Sequence, residues 1–388
     1  MKKEKDQITA CRRKTSIGGQ ALMEGIMMRG PKMTAMAVRN TKGEIVVEEF
    51  PTKGAKRPAI CRWPIIRGVF GYIDSMVLGY KCLMRSAELS GLEDLVEESP
   101  RKKKKRLEKE AREAAERGET APAEEGAPAE ESVSREIPAT EEASVAATDT
   151  DAEKKEEKTE EKLPSWVMTV TTVVSVVLGV ALAIGLFMFL PTLLYDLISP
   201  HVGFLTHDHS AVNSLIKSVF EGVLRIVLLV GYMALISLMK DIRRTFMYHG
   251  AEHKTIFCYE AGLELTVENV KRQRRFHPRC GTSFLILMLL VSIFISFFID
   301  PISILISGKV LFTPLRVAVK LLLIPLIVGL GYELIKFAGR HDNWFTRLIS
   351  LPGVWLQHIT VFEPTDDMIE CAITAVKRVI PDDESDRW

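Results

Sequence analysis

The second half of this chain alternates long apolar runs with short charged stretches. Residues 166–190 carry no charged side chain and, as helix, are long enough to cross a hydrocarbon layer of ~30 Å. Runs at 219–239, 282–299 and 315–334 have the same character, which predicts a mainly α-helical integral membrane protein of four spans. One helix buried in a soluble core can be apolar all round, but four such runs in one chain argue against that reading. The second and fourth runs carry charge at helical spacing near one end: Glu221 with Arg225, and Arg316 with Lys320. Such charge is either paired inside a bundle or part of a functional path. The expectation is that Glu221 neutralises Arg225 and Lys320 between packed helices. Pro325, which lacks an N–H, should kink the fourth helix.

Ahead of the spans, residues 34–39 and 44–50 read as a small β-hairpin turning at Asn40 to Gly43. Residues 17–31 interleave Gly18, Gly19, Gly25 and Gly30 with apolar side chains, which predicts a packed irregular segment close to other elements or to a ligand. The segment lacks the G-K-[ST] ending of a P-loop. Residues 64–89 mix apolar positions with Arg67, Asp74, Lys81 and Arg85, which suits an interfacial or re-entrant helix better than a span. Near the end, Met368, Ile369, Ala372, Ile373, Val376, Val379 and Ile380 keep helical spacing, and Thr365 or Asp366 can cap that amphipathic helix.

Charge changes the picture twice. The total is +1, yet residues 93–162 hold 23 acidic and 14 basic side chains, net −9, with no aromatic, leaving +10 on the rest. Such a stretch cannot bury enough apolar surface to offset chain entropy, so it reads as a disordered charged linker with room for a transient helix at 106–119. Lysine and arginine also set orientation: loop 240–281 holds nine, whereas 191–218 and 300–313 hold one each. Basic loops stay inside, so both termini and loop 240–281 are expected to face the cytoplasm. The N-terminus is basic with no apolar segment behind it, so insertion is expected to use an internal span. Six cysteines without a C-x-x-C pair are then expected as reduced thiols. The run Arg101–Arg106 suits contact with anionic lipid or is simply solvated; with no aromatic residues beside it, nucleic-acid binding is not expected. Five segments result: a flexible basic N-terminus (1–16), a cytoplasmic part with the glycine-rich stretch, hairpin and helix (17–91), the linker (92–162), the four-span domain (163–340), and a cytoplasmic C-terminal segment (341–388).

The chemistry concentrates at the cytoplasmic ends of the second and third spans. His249-Gly250-Ala251-Glu252-His253 is an H-x-x-E-H pattern, which places two imidazoles on one helix face with a carboxylate beside them. His277 and Cys280 sit at the mouth of the third span. Imidazole and thiolate are good ligands for a divalent metal, zinc above all. Four protein ligands, His249, His253, His277 and Cys280, make a saturated structural shell. Three plus water make a catalytic one, with Glu252 as general base and Gln20, Glu24 and Arg29 lining a substrate pocket. An inverted zinc protease also needs a distal carboxylate, for which Glu260, Glu264 and Glu268 are all open. Two function classes therefore stand: a metal-dependent hydrolase at the membrane surface, or a non-catalytic platform for membrane assembly or lipid headgroups using the same residues. His201, His207 and His209 read as an ordinary solvated loop.

Several segments resemble one family. IGGQALMEGIMMRGP, YHGAEHKTIFCYEAG, LTVENV with its basic tail, and HPRCGTSF are similar to the YqhQ-like family of bacterial polytopic membrane proteins, as are the weaker blocks RGVFGYIDSMVLGYKCL and WLQHITVFEP. The resemblance covers 17–91 and 164–381. It implies a domain of unknown function described as metal-dependent, and carries that expectation to His249, Glu252, His253, His277 and Cys280. The C-terminal block departs from the family pattern at Val361-Phe362, where Thr and Arg are usual.

Overall fold

The computed structural model describes residues 14–52, 58–91, 165–202, 211–341 and 343–387. The stretch 92–162 with its basic run Arg101–Arg106, the first thirteen residues, and His207 and His209 lie outside the described residues. The chain forms two compact units, 98–180 and the remainder. In the former, residues 165–180 are helical.

In the larger unit a four-stranded antiparallel meander runs β1 (Gly18–Leu22), β2 (Gly25–Arg29), β3 (Met33–Arg39) and β4 (Ile45–Pro51). The expected hairpin is its outer half, with Val38 opposite Val46 and Ala37 opposite Val47. The glycine-rich segment, expected as irregular backbone, is instead its inner half, Gly19 pairing with Met28 and Leu22 with Gly25. The physical reason is that β2 is buried on both faces. Ile26 and Met28 join Ala35 and Ala37 against the C-terminal helix, while Met27 joins Leu22, Met36 and Val38 against Cys82. A strand covered on both sides shows no polar–apolar alternation for a sequence to display.

Helix α1 (Ile66–Leu89) is unbroken and covers one face of the sheet. Its first turns pack against the fourth apolar run, where Gly68 meets the Tyr332 ring and Arg67 pairs with Glu333. Among the described residues three helices are long and apolar enough to cross a membrane, or four if one bent pair counts as a single span. The first candidate, Val173–His201, combines the later part of α2 (Ser165–Ile184), a π-helical turn at Gly185–Phe189, α3 (Leu190–Ile198) and a last turn at Ser199–His201. Helix α4 (Ala211–Ile236) follows. After the cytoplasm-expected helices α5 (Lys240–Glu260) and α6 (Val267–Lys271) comes α7 (Gly281–Ser307), which runs a further turn or two beyond the apolar stretch that marked it. The bent pair is α8 (Thr313–Leu322) and α9 (Ile324–Arg340), angled at 46° across Leu323, with Pro325 in the first turn of α9. The kink expected from Pro325 is therefore a full break.

The buried charges pair as expected and extend further. Glu221 on α4 accepts from Arg225 at 2.9 Å, Lys320 at 2.9 Å, Arg316 at 3.2 Å and the Thr192 hydroxyl at 3.0 Å. Asp300, in the extra length of α7, pairs with Arg316 at 2.9 Å. Arg225 also donates to the Phe187 carbonyl in the π turn at 2.9 Å. All five charged side chains are nearly inaccessible, so this network joins the π-turn helix, α4, α7 and α8.

Two helices finish the chain. Helix α10 (Trp344–Thr360) opens with an Asn343–Thr346 capping box and packs along α7, Gly353 lying directly against Ser283. Helix α11 (Asp366–Lys377) is the amphipathic segment read from sequence, with Met368, Ile369, Ala372, Ile373 and Val376 buried. Thr365 occupies its N-cap position but makes no side-chain cap bond. The two ends of the described chain meet: Thr15 bridges Arg387, and its hydroxyl donates to Asp386 at 2.8 Å.

Candidate metal centre

Helix α5 positions the site because almost nothing on its second half reaches solvent. From Tyr248 to Glu260 only His249 is not fully buried. The helix lies against β1 and β2 on one side and α11 on the other, with Tyr248, Ala251 and Ile256 in the same core as Met28 and Met368. Gly250 lets the chain after α10 cross α5 closely: a Cβ there would stand 2.0 Å from the Phe362 carbonyl oxygen. Phe362 in turn donates its N–H to Phe246 at 3.0 Å, so the crossing is pinned. From the sheet side, Glu24 in the β1–β2 turn binds Arg244 and accepts from Tyr248 at 3.3 Å, although its backbone φ is +51°.

The two imidazoles of the motif lie 4.4 Å apart, centroid to centroid. His249 Nδ1 is 3.1 Å from the Thr360 carbonyl, and His253 Nδ1 is 2.6 Å from the Arg275 carbonyl. A carbonyl only accepts, so each Nδ1 donates a proton and each Nε2 is turned inward. His249 Nε2 lies 3.0 Å from Cys280 Sγ. His253 Nε2 is buried and has no hydrogen-bond partner among the described residues. The three ligand atoms of His249, His253 and Cys280 lie within 4.8 Å of one another. Cys280 is the N-cap of α7, and its sulfur also accepts from the Thr282 N–H at 3.4 Å. A histidine whose Nδ1–H is held by a carbonyl while Nε2 points at a thiolate is the orientation that metal-ligating histidines adopt.

The electrostatics agree with a thiolate. Burial disfavours charge on Cys280, but His249 and His253 outweigh it and hold the thiol well below its usual range. Burial likewise opposes charge on His249, yet the Cys280 sulfur, with Glu252, raises it to about 9. Glu252 is pushed above the ordinary carboxylate range by burial, against the pull of both histidines and a hydrogen bond from the Gly19 backbone. A cavity of about 140 Å³ opens onto His253, Cys280 and Glu252, roofed by Ser16 to Gly19.

His277 is close but does not join the three. Its Nδ1 accepts from the Arg279 N–H at 3.2 Å, and its Nε2 faces Arg279 at 3.3 Å and Glu260 at 4.0 Å. Burial, helped by the Arg279 guanidinium and against a hydrogen bond with Glu260, depresses it to about 4, so it is a neutral ring, tilted at 50° to Phe257 with centroids 4.6 Å apart. Glu260 is occupied too: despite burial, His277, Arg279 and the Thr15 N–H hold its carboxyl near 2. Glu264 and Glu268 are exposed, the latter paired with Arg272, so no distal carboxylate completes an inverted-protease set among the described residues. Gln20 and Arg29 line a neighbouring cavity, whereas Glu24 is committed to Arg244 and Tyr248.

Two supporting residues escaped the sequence reading. Gln357 of α10, wholly buried, accepts from the His277 N–H at 2.8 Å and donates to the His277 carbonyl at 2.7 Å and to Ser283 at 3.0 Å. Thr360, one turn on, supplies the carbonyl for His249. Both lie in the block WLQHIT, where no spacing marks them as partners of a site a hundred residues earlier. The five described cysteines are free thiols.

Fold and site together define a mainly helical protein with several long apolar helices and a buried histidine–cysteine cluster. Residues 63–382 match the model of a family described as a protein of unknown function (DUF1385), and the chain belongs to that family. It is 29% identical over 367 residues to the Uncharacterized protein YqhQ of Bacillus subtilis (strain 168), covering 94% of this chain and 92% of that relative. The resemblance carried by the motifs is thus to the right family. No solved structure matches the chain.

Proposed function

We propose that this protein is a multi-pass membrane protein of the bacterial cell membrane, termini inside, that holds a divalent metal through His249, His253 and Cys280 and serves as a metal-dependent hydrolase. The observation that carries the metal is the buried Nε2 of His253, which has no hydrogen-bond partner among the described residues, in a group whose three ligand atoms, with those of His249 and Cys280, lie within 4.8 Å of one another. An unpaired buried nitrogen costs about 1–3 kcal/mol, and a shared cation removes that cost. Two imidazoles and a thiolate are a borderline-soft donor set, which suits zinc.

The hydrolase reading rests on ligand number. Catalytic zinc sites keep three protein ligands and structural sites four. With His277 bound to Arg279 and facing Glu260, three ligands remain, beside a cavity that admits a small reactant. A metal there supplies Lewis acidity toward water or a substrate oxygen. Glu252, at the edge of that cavity and biased toward protonation, can take a proton from water and return it to a leaving group. The Gly19 N–H holds its carboxyl in place. The nine basic residues of loop 240–281 support a cytoplasmic orientation for this face, and the long apolar helices support the lipid bilayer as their partner.

A second reading has its own observation. Cys280 Sγ, at the N-terminus of a 27-residue helix and 3.0 Å from His249, also has the arrangement of a thiolate nucleophile and its base. That dyad has no use for His253 Nε2. Elemental analysis of detergent-purified protein separates the two: wild type is expected to carry about one metal per chain, and His253→Ala and Cys280→Ser little. Equal, near-zero metal in all three removes the metal reading. If His253→Ala then keeps full iodoacetamide reactivity at Cys280, the dyad takes its place.

A further inference from the structure

Beside the small cavity at the metal centre lies a larger one of about 420 Å³, and Ser16, Gly18 and Gly19 line both. Its walls come from β1, β2, the middle of α1 and Tyr332 on α9. Among the described lining residues Arg29 is the single charged side chain. Its only hydrogen bond among the described residues is to the Ser75 hydroxyl, long at 3.4 Å, and no carboxylate pairs with it. Other arginines around the sheet are engaged: Arg67 with Glu333, Arg85 with Glu48 and Glu88, Arg244 with Glu24. Strand geometry explains why Arg29 points there. It follows Met27 on the face of β2 that looks toward α1 and lies opposite Gly18 in the ladder, one residue from the Gly19 whose N–H holds Glu252.

We propose that this cavity is the binding subsite for a phosphate group of the substrate, with Arg29 as its recognition residue, so that the hydrolysable part of the substrate reaches Glu252 across Gly18 and Gly19. The proposal rests on the hydrolase reading of the metal centre. The chemistry of the lining favours phosphate. Besides the guanidinium, it offers the hydroxyls of Ser16, Ser75 and Tyr332 and the Gln20 amide, all of which donate, and no described carboxylate to repel an anion. A guanidinium fork matches two phosphate oxygens, and hydroxyls serve the third. The volume is more than a carboxylate alone fills. Gly19 lets β1 approach the metal centre closely: a Cβ there would stand 2.6 Å from the Met27 carbonyl oxygen and 3.0 Å from the Glu252 carboxyl carbon. Because Tyr332 on the lining belongs to α9, half of the bent apolar pair, the phosphate can arrive on a lipid headgroup or on a free metabolite, and the chemistry of recognition is the same.

The test uses the full-length protein in detergent and in nanodiscs. Calorimetry with inorganic phosphate and with glycerol 1-phosphate reads the free source, and native mass spectrometry of phosphatidylglycerol adducts reads the lipid source. Binding in either arm, weakened at least tenfold in Arg29→Gln and unchanged in Arg85→Gln, supports the subsite and names its source. Arg29→Lys keeps the charge without the fork and is expected to lose severalfold; it also serves if Arg29→Gln does not fold. Metal content equal to wild type in the Arg29 variants, together with phosphate binding retained in His253→Ala, separates this subsite from the metal reading. Phosphate binding with equal affinity in wild type and the Arg29 variants overturns the proposal, as does no binding in either arm.

Discussion

Gly250→Ala offers the sharpest check on how the site is built, because propensity and packing predict opposite signs. In an exposed helix, alanine in place of glycine stabilises by about 1 kcal/mol. Here the new Cβ would lie 2.0 Å from the Phe362 carbonyl oxygen, which is backbone and cannot rotate away. Ordinary contact needs more than an ångström of extra separation, so the chain after α10 must lift off α5. That movement strains the Phe362–Phe246 backbone bond at 3.0 Å and draws Thr360 from His249, now 3.1 Å apart. Overpacking costs roughly 1–3 kcal/mol and each lost hydrogen bond about 1 kcal/mol. After the propensity gain, the net is a destabilisation of about 1–3 kcal/mol. Thermal unfolding in detergent should show the variant melting several degrees lower, with metal content reduced because His249 loses its orienting carbonyl. A variant as stable as wild type, or more stable, refutes the crossing at Gly250.

Further outcomes follow from the same geometry. Glu221→Gln leaves Arg225, Arg316 and Lys320 buried with only Asp300 for balance, and should cost about 3–5 kcal/mol in thermal stability, with partial recovery in Glu221→Gln/Lys320→Met; equal melting of the single variant and wild type would contradict it. Gln357→Leu strands the His277 N–H and carbonyl and should lower metal retention without touching a ligand, read by chelator competition. Glu260 titrates near 2 in the fold and near 4.5 as a free side chain, so its stabilising contribution is complete above pH 4.5 and fades as pH falls toward 2. Melting curves across that window should fall less steeply for Glu260→Gln than for wild type, and parallel curves would remove Glu260 from the account.

The long apolar helices were legible because helix length and apolarity are properties of a continuous stretch, and the Glu221 pairing was legible because i,i+4 spacing puts Arg225 on its face. Asp300 joined that network unannounced, and the partners of Arg316 were not readable, since the return of the chain after α7 sets their contact. The hairpin at 33–51 showed itself through its turn at Asn40 to Gly43, whose glycine has φ +83°, while β2, buried along almost its whole length, and β1, which opens with two glycines, carried no such mark. At the centre, His249 and His253 were readable from helical spacing, and Cys280 from its chemistry. Sequence could not tell that His277 turns to Arg279 and Glu260, because His277 and Cys280 are equally near along the chain and only the path of the 276–280 loop, held by Gln357, decides between them.

X-ray absorption at the zinc edge on protein purified from membranes tests the central claim most directly. One zinc is expected, with a single sulfur at about 2.3 Å and two imidazole nitrogens at about 2.0–2.1 Å, the sulfur contribution vanishing in Cys280→Ser. A metal-free protein, or a metal whose shell keeps its sulfur in Cys280→Ser and its imidazoles in His249→Ala and His253→Ala, would contradict it.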